Sequence, residues 1–267
     1  MQLFIVSHLE RKGNQLFLPN VPDLLAQLRK VLRAKVGDTI FIQPEKLEPN
    51  GNLTRYELKI SDRTDKTLTW EIVSEQPYLE GSPDQRQVLS GGQGSYWVGI
   101  FVAMPNKREK AELITQKLSE IGIDEILFRP AERSVISQWN EKKSDRLQKI
   151  AREAVEQSRG RRIPHIARCE NVREYVEGKE VVIFDKTPFH KGGRSVATGD
   201  LTEQWLPTKS PLPPFTKGGI LGVVGPEGWL TTRDYQLFES FQVVSLGQTI
   251  LRMETAAIIG GWMLKNF

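Results

Sequence analysis

The stretch ILGVVGPEG at residues 220–228 decides how the second half of this chain folds. A second stretch of the same kind, VVSLGQTILRMETA, follows at residues 243–256. Each stretch starts as an apolar, strand-like run and continues into a loop that contains glycine. Loops that follow parallel strands meet at the carboxyl edge of the sheet, where open α/β sheets bind their ligands. The two stretches therefore predict a pocket built from backbone groups of two loops, with Arg252 and Glu254 beside it.

The composition is that of a globular protein with room for two domains. Of the 267 residues, 39% are hydrophobic and 26% are charged, and the formal net charge is +4. Basic residues cluster between Lys107 and Arg133 and again between Lys142 and Arg162. These clusters suit a polyanionic partner and suit solvated helix faces equally well, so charge alone leaves both interpretations open.

We expect no metal site, no disulfide and no membrane segment. Cys169 is the single cysteine, and the three histidines form no cluster at metal-ligand spacing. The residues that follow Met1 lack the layout of a signal peptide. No apolar run approaches the roughly 20 residues that cross a bilayer. A cytoplasmic protein is therefore the expectation.

Residues 1–75 are predicted to form a small β-barrel with one helix. Short apolar runs bounded by turn residues indicate the strands, and leucines at helical spacing between residues 23 and 33 indicate the helix. The predicted strands lie at residues 3–6, 39–42, 56–60 and 67–73.

The rest of the chain has a different pattern. Residues 76–95 are rich in glycine and serine and are predicted to be a linker. Over residues 96–267, strands alternate with helices, which predicts an α/β domain with a parallel sheet. Residues 190–219 are rich in proline and glycine and are interpreted as a flexible insertion. The predicted strands of this domain lie at residues 96–104, 125–128, 181–184, 220–224 and 241–245. After the first of them, Asn106 is predicted to cap a helix that ends at Gly122, and Thr231 or Thr232 is predicted to cap a later helix.

A nucleotide-phosphate site is the obvious alternative, and the sequence does not favour it. Neither G-x-x-x-x-G-K-[ST] nor a strand followed by G-x-G-x-x-G occurs. The turn after the first predicted strand of the α/β part, residues 104–107, contains no glycine. The late strands must therefore build the ligand site.

Five separate motifs, in the same order, resemble the ribosomal small-subunit RNA uracil-N3 methyltransferases of the SPOUT superfamily. Besides the two late loops, they are QKLSEIG at 116–122, AERSV at 131–135 and EAVEQSR at 153–159. The run RKVLR at 29–33, followed by Gly37 and Asp38, is similar to the PUA-like N-terminal domain of that family. The resemblance covers nearly the whole chain. Trp229 and Thr249 depart from it, since the family usually has glycine and arginine there.

The resemblance implies a deep trefoil knot in the C-terminal domain and a homodimer. It also implies S-adenosylmethionine as the cofactor and methylation at N3 of a uridine in 16S rRNA of the assembled small subunit. The residues that it implies for cofactor binding belong to the ends of three strands and the loops that follow. They are Phe184, Asp185, Val224, Gly225, Pro226, Glu227, Gly228, Ser245, Leu246, Gly247, Ile250, Leu251 and Arg252.

Charged residues supply the candidates for catalysis and for RNA binding. Arg252 is predicted to stabilise a uracil anion through its guanidinium group. Glu254 is predicted to accept the proton or to hold Arg252, although a carboxylate that favours the helix dipole is an equal alternative. Arg133 is the second candidate for a charged group near the site. The candidates for RNA phosphate contact are Arg29, Lys30, Arg33, Arg159, Arg161 and Arg162.

Two other functions are compatible with the same residues. One is a SPOUT methyltransferase that acts on tRNA or on another rRNA base. The other is a non-catalytic RNA-binding factor in ribosome assembly, which predicts that no cofactor binds.

Overall fold

The computed structural model divides into two compact units. One comprises residues 1–95 and 155–162, and the other comprises residues 96–154 and 163–267. Most of the predicted linker lies outside the described residues, and so does the predicted insertion apart from Gly219. The structure describes residues 3–7, 9–13, 15–17, 24, 26, 28, 33–45, 53–63, 68–78, 97–130, 139–160, 162–185, 219–227, 230–238 and 240–266.

The first unit contains a six-stranded sheet in the order β1-β4-β5-β6-β3-β2. β1 and β4 are parallel, and the other neighbours are antiparallel. Alternate side chains of β5 form a core with Leu28 and Trp70, as expected for a sheet with one buried face. The strands are β1 Leu3–Val6, β2 Glu10–Lys12, β3 Gln15–Phe17, β4 Thr39–Pro44, β5 Leu53–Arg63 and β6 Leu68–Tyr78.

Residues 155–162 group with this sheet through hydrogen bonds to two of its strands. The carboxylate of Glu156 accepts a hydrogen bond of 3.0 Å from the backbone N–H of Ile5. The guanidinium of Arg55 donates to the backbone carbonyl oxygens of Arg159 and Gly160, each at 3.3 Å. In each contact a side chain satisfies a backbone group of a segment that is distant in sequence.

The second unit is built on a parallel six-stranded sheet in the order β12-β10-β11-β7-β8-β9. β7 and β11 lie in the middle and are buried along their whole length. Their near-continuous apolar sequence follows from this, because a central parallel strand is covered on both faces. The strands are β7 Val98–Ala103, β8 Glu125–Arg129, β9 His165–Arg168, β10 Glu180–Phe184, β11 Ile220–Val224 and β12 Gln242–Val244.

Helices cover both faces of this sheet. On one face Ile100, Ile114 and Leu264 belong to the same core cluster, and on the other face Phe101 packs with Val172 and Phe238. The sheet thus separates two apolar layers, as its period-2 alternation requires. The helices are α1 Arg108–Ile121, α2 Glu141–Ser158, α3 Val172–Val176, α4 Thr232–Tyr235 and α5 Met253–Asn266. Within the described ranges, every helix is too short or too polar to span a bilayer.

The local predictions succeed where a sequence pattern is strong. The prediction that Gly122 ends α1 is confirmed, because its φ of 85° is left-handed and its N–H bonds to the carbonyl oxygens of Leu118 and Ser119. Thr231 caps α4 with Asp234 in a capping box. Asn106 as the N-cap of α1 is wrong, because Lys107 still has an extended backbone and takes that position.

The sequence analysis missed β2, β3, β9 and α3. Each has only three to five residues. β2, Glu10–Lys12, contains no apolar residue at all. Such short elements carry too little hydrophobic periodicity to be recognised. The three strands are defined by the strands that they pair with, and the helix by the packing of Val172 in the core.

Candidate functional site

Three neighbouring strands of the parallel sheet end side by side. Phe184, the last residue of β10, is in register with Val224 at the end of β11 and with Val244 at the end of β12. The glycine loops that follow β11 and β12 therefore leave the sheet on either side of the segment that follows β10. This is the carboxyl edge at which parallel α/β sheets hold ligands.

The loops at this edge form an open pocket whose space, with the solvent-facing mouth included, is about 620 Å³. Except for Arg252, all the described residues predicted for cofactor binding line this pocket; Gly228 lies outside the described residues. Four further lining residues were not predicted, namely Leu230, Thr249, Met253 and Ala256.

Two glycines shape the pocket walls. A Cβ atom at Gly225 would lie 2.8 Å from the side chain of Leu230, so only glycine lets the two loop segments pack this closely. Gly247 has a φ of 127°, which L-residues with side chains rarely adopt. The Ser245 hydroxyl donates to the Gly247 carbonyl oxygen at 3.1 Å and stabilises this bend. The loop backbone is thus held in place around the cavity.

Asp185 places a carboxylate in the pocket wall. It follows β10 directly, and its Oδ2 atom accepts a hydrogen bond of 2.6 Å from the hydroxyl of Tyr235 on α4. Burial and this hydrogen bond both raise the pKa of Tyr235, so the phenol remains protonated and donates. α4 therefore orients a charged group that faces a prospective ligand.

A buried ion pair fixes α4 at the same edge. Arg129, the last residue of β8, donates from Nη2 to Oδ1 of Asp234 at 2.6 Å, and both side chains are at least 94% buried. Oδ2 of Asp234 accepts 3.0 Å bonds from the backbone N–H and from the hydroxyl of Thr231. Both carboxylate oxygens are engaged, which offsets the cost of removing the charge from water.

Lys110 on α1 reaches the pocket-lining residue Glu227 and forms an ion pair with it. Its Nζ atom also lies 3.4 Å from Oε2 of Glu254, in the first turn of α5. The hydrogen bond with Glu227 raises the pKa of Lys110, and it holds the pKa of Glu227 below its ordinary value. Arg252 and Lys107 contribute further to the low pKa of Glu227, so several cations surround this part of the mouth.

The three predicted catalytic residues occupy different positions. Arg252 is exposed, and its carbonyl oxygen accepts the 2.8 Å bond from Ala256 that begins α5. Glu254 is mostly buried, with 13% of its side chain exposed, and its close ionic neighbour is Lys110. Arg133 lies outside the described residues.

Three of the residues predicted to contact RNA can be located, and all belong to the first unit. Arg33, Arg159 and Arg162 are exposed, and the first two have positive φ values of 50° and 54°. Arg29, Lys30 and Arg161 lie outside the described residues.

Sequence reasoning missed Lys110 and Tyr235 at this site. Lys110 belonged to a general basic cluster, and its partner Glu227 lies 117 positions away. Tyr235 directly follows Asp234 of the capping box. The capping box is a local sequence signal for the helix α4, but it does not indicate that Tyr235 binds Asp185. In the part of the chain that the structure describes, no three His, Cys, Asp or Glu side chains converge as metal ligands would.

A parallel sheet with a glycine-loop pocket at its carboxyl edge defines an α/β ligand-binding domain. The family described as RNA methyltransferase domain matches residues 93–261, more than half of the chain. The protein belongs to this family.

Two relatives carry the name ribosomal RNA small subunit methyltransferase E. The protein from Rickettsia conorii is 28% identical over 158 residues, which are 57% of this chain and 57% of the relative. The protein from Bacillus subtilis is 32% identical over 162 residues, which are 57% of this chain and 59% of the relative. The match thus spans less than two thirds of the length of these curated relatives.

Solved structures share the fold over almost the whole chain. A Legionella pneumophila protein in complex with SAM has a TM-score of 0.68 at 21% identity, and covers 98% of this chain and 96% of its own. A ribosomal RNA small subunit methyltransferase E from Neisseria gonorrhoeae, bound to S-adenosyl methionine, has a TM-score of 0.66 at 22% identity, with coverages of 98% and 95%. At these identities the likeness establishes the fold.

Proposed function

We propose that this protein transfers a methyl group from S-adenosylmethionine to N3 of a specific uridine in the 16S rRNA of the small ribosomal subunit. The observation that carries the proposal is the pocket at the ends of β10, β11 and β12. Membership of an RNA methyltransferase family supports the reaction, and the names of the two relatives support the substrate.

The pocket suits an adenosyl donor. Its walls combine apolar side chains such as Leu246, Ile250 and Leu251 with backbone groups of two glycine loops. Apolar walls bury a heteroaromatic ring, and a few polar groups orient it. Two structures with the same fold contain SAM, which supports this choice of cofactor. Asp185 adds a carboxylate that accepts hydrogen bonds from ribose hydroxyls or from the donor's ammonium group.

The reaction needs a deprotonated N3 atom, because the neutral imide nitrogen is a weak nucleophile. When bound, S-adenosylmethionine supplies an electrophilic methyl group on a sulfonium. Arg252 donates to a carbonyl oxygen of the uracil and stabilises the anion. Glu254 accepts the N3 proton, and Arg133 is the second candidate for charge stabilisation. The N3–CH₃ bond forms as the S–CH₃ bond breaks, which leaves a neutral thioether.

The remaining features of the proposal concern the wider molecule. The N-terminal sheet closes into a PUA-like barrel, and the C-terminal domain contains a deep trefoil knot. The exposed arginines Arg33, Arg159 and Arg162 bind RNA phosphates, together with the other basic candidates of the first unit. The protein acts in the cytoplasm as a homodimer. Support for the homodimer comes from Ile259 and Trp262 on α5, which are 37% and 49% exposed.

Two measurements test this proposal. Calorimetry with purified protein and S-adenosylmethionine is expected to show saturable binding, whereas a non-catalytic assembly factor would show none. Methyl transfer is then assayed on small subunits that lack the modification, and mass analysis of nucleosides is expected to find N3-methyluridine. A product in tRNA, or on another base, contradicts the proposed substrate.

The variant Arg252→Ala tests the proposed chemistry. It should bind the donor and lose most of its turnover, because the anion then lacks its stabilising donor. The matched control is Arg233→Ala, an exposed arginine on α4. Full turnover in Arg252→Ala with normal donor binding contradicts the proposed role.

A further inference from the structure

One lysine connects the two loops that form the pocket. Lys110 projects from the first turns of α1, and only 17% of its side chain is exposed. It contacts Glu227, in the loop after β11, and lies 3.4 Å from Glu254, just beyond the loop after β12. These two loops are separate in sequence, and a single ammonium group joins them.

The charge balance makes this lysine important. Glu227 and Glu254 both approach the same Nζ atom, so removing the ammonium leaves two carboxylates near one another. Oε2 of Glu254 is buried and forms no hydrogen bond with the described residues, so its 3.4 Å ion pair with Lys110 is the contact that removal of the ammonium would break. Arg252 and Lys107 act on Glu227 through their charges alone, without a hydrogen bond to it. Glu254 is mostly buried and Glu227 is exposed, so water screens only part of their repulsion, and we expect the loops to move apart.

We propose that Lys110 is a positioning residue that holds the loops after β11 and β12 at the spacing needed to bind the methyl donor. The inference rests on the proposed function, because the donor is the ligand whose affinity reports the spacing. Lys110 acts through Glu227 and Glu254 and does not contact the reacting atoms.

The test is a set of substitutions measured by calorimetry with S-adenosylmethionine. Lys110→Met keeps the length of the stem and removes the charge, and it should weaken donor binding by about 3-fold to 10-fold. Lys110→Arg should retain most of the affinity, because its guanidinium also pairs with carboxylates. Lys117→Met is the control, since Lys117 lies on the same helix and pairs with Glu120 at the surface.

A second substitution distinguishes positioning from a general loss of structure. Glu227→Gln in the wild type should weaken donor binding, because the loop loses its ionic contact with Lys110. In the Lys110→Met background the same substitution should strengthen binding, because it removes the like-charge repulsion. A residue that only supports the fold would not give this reversal of sign. If Lys110→Met does not fold, Lys110→Gln replaces it in the same pair of binding measurements, and the reversal of sign again decides.

The outcomes separate the inference from the proposed function. Wild-type protein that does not bind the donor overturns the proposed function and the inference with it. Wild-type protein that binds, together with a Lys110→Met variant of equal affinity, overturns the inference alone. Additive effects of Lys110→Met and Glu227→Gln on the free energy of donor binding also overturn it, because additivity means that the two residues do not interact.

Discussion

Replacing Asp234 with alanine should destabilise the second unit by about 3–5 kcal/mol, the usual cost of removing one partner from a buried ion pair. Only 3% of the Asp234 side chain and 6% of the Arg129 side chain are exposed, so water cannot solvate the arginine that remains. The Nη1 atom of Arg129 is buried and has no hydrogen-bond partner among the described residues, so the variant would leave a second nitrogen unsatisfied. The backbone N–H and hydroxyl of Thr231 lose their acceptor as well.

Urea denaturation followed by circular dichroism measures this change as a shift of the midpoint at constant slope. Glu120→Ala is the control, because its ion pair with Lys117 is exposed and should contribute less than about 1 kcal/mol. The double variant Arg129→Met with Asp234→Leu should recover much of the lost stability, since an apolar pair needs no desolvated charge. A loss below about 1 kcal/mol in Asp234→Ala would refute the reasoning.

Three further substitutions or reactions probe the pocket and the core. Gly260→Ala puts a Cβ atom 2.6 Å from the ring of Phe184, so it should cost about 1–3 kcal/mol and weaken donor binding; unchanged calorimetry would contradict this. Tyr235→Phe removes the 2.6 Å bond to the Asp185 carboxylate and should lower the unfolding free energy by about 1–2 kcal/mol in thermal denaturation. Burial raises the pKa of the Cys169 thiol, so at pH 8 iodoacetamide should alkylate the native protein far more slowly than the denatured protein, and equal rates would be inconsistent with a buried thiol.

The sequence was most informative about elements whose causes are local. The apolar runs at 96–104 and 220–224 predicted the two central strands, since a strand covered on both faces needs no polar alternation. Gly122 predicted the end of α1, because the left-handed backbone conformation that commonly ends a helix is favourable for glycine. The pocket was also predictable, because strand-to-helix loops of parallel strands necessarily share one edge of the sheet.

Ion pairs between distant segments could not be predicted. Glu254 was expected to pair with Arg252, two positions away, as one of its possible roles. In the structure its close ionic neighbour is Lys110, which α1 brings to the same edge from 144 positions earlier in the chain. A charged residue in a helix has several possible partners, and only the packing of that helix selects among them.

By itself, the sequence determined the α/β class of the second unit, the two loops that form most of its pocket and the resemblance to an RNA-modifying family. The tertiary structure alone decided the strand order, which places β10 between β11 and β12, and with it the contacts of Lys110, Arg129 and Tyr235. The reason is physical. Strand and cap preferences depend on neighbouring residues, whereas strand order and buried charge pairs depend on contacts between segments that meet only in the folded chain.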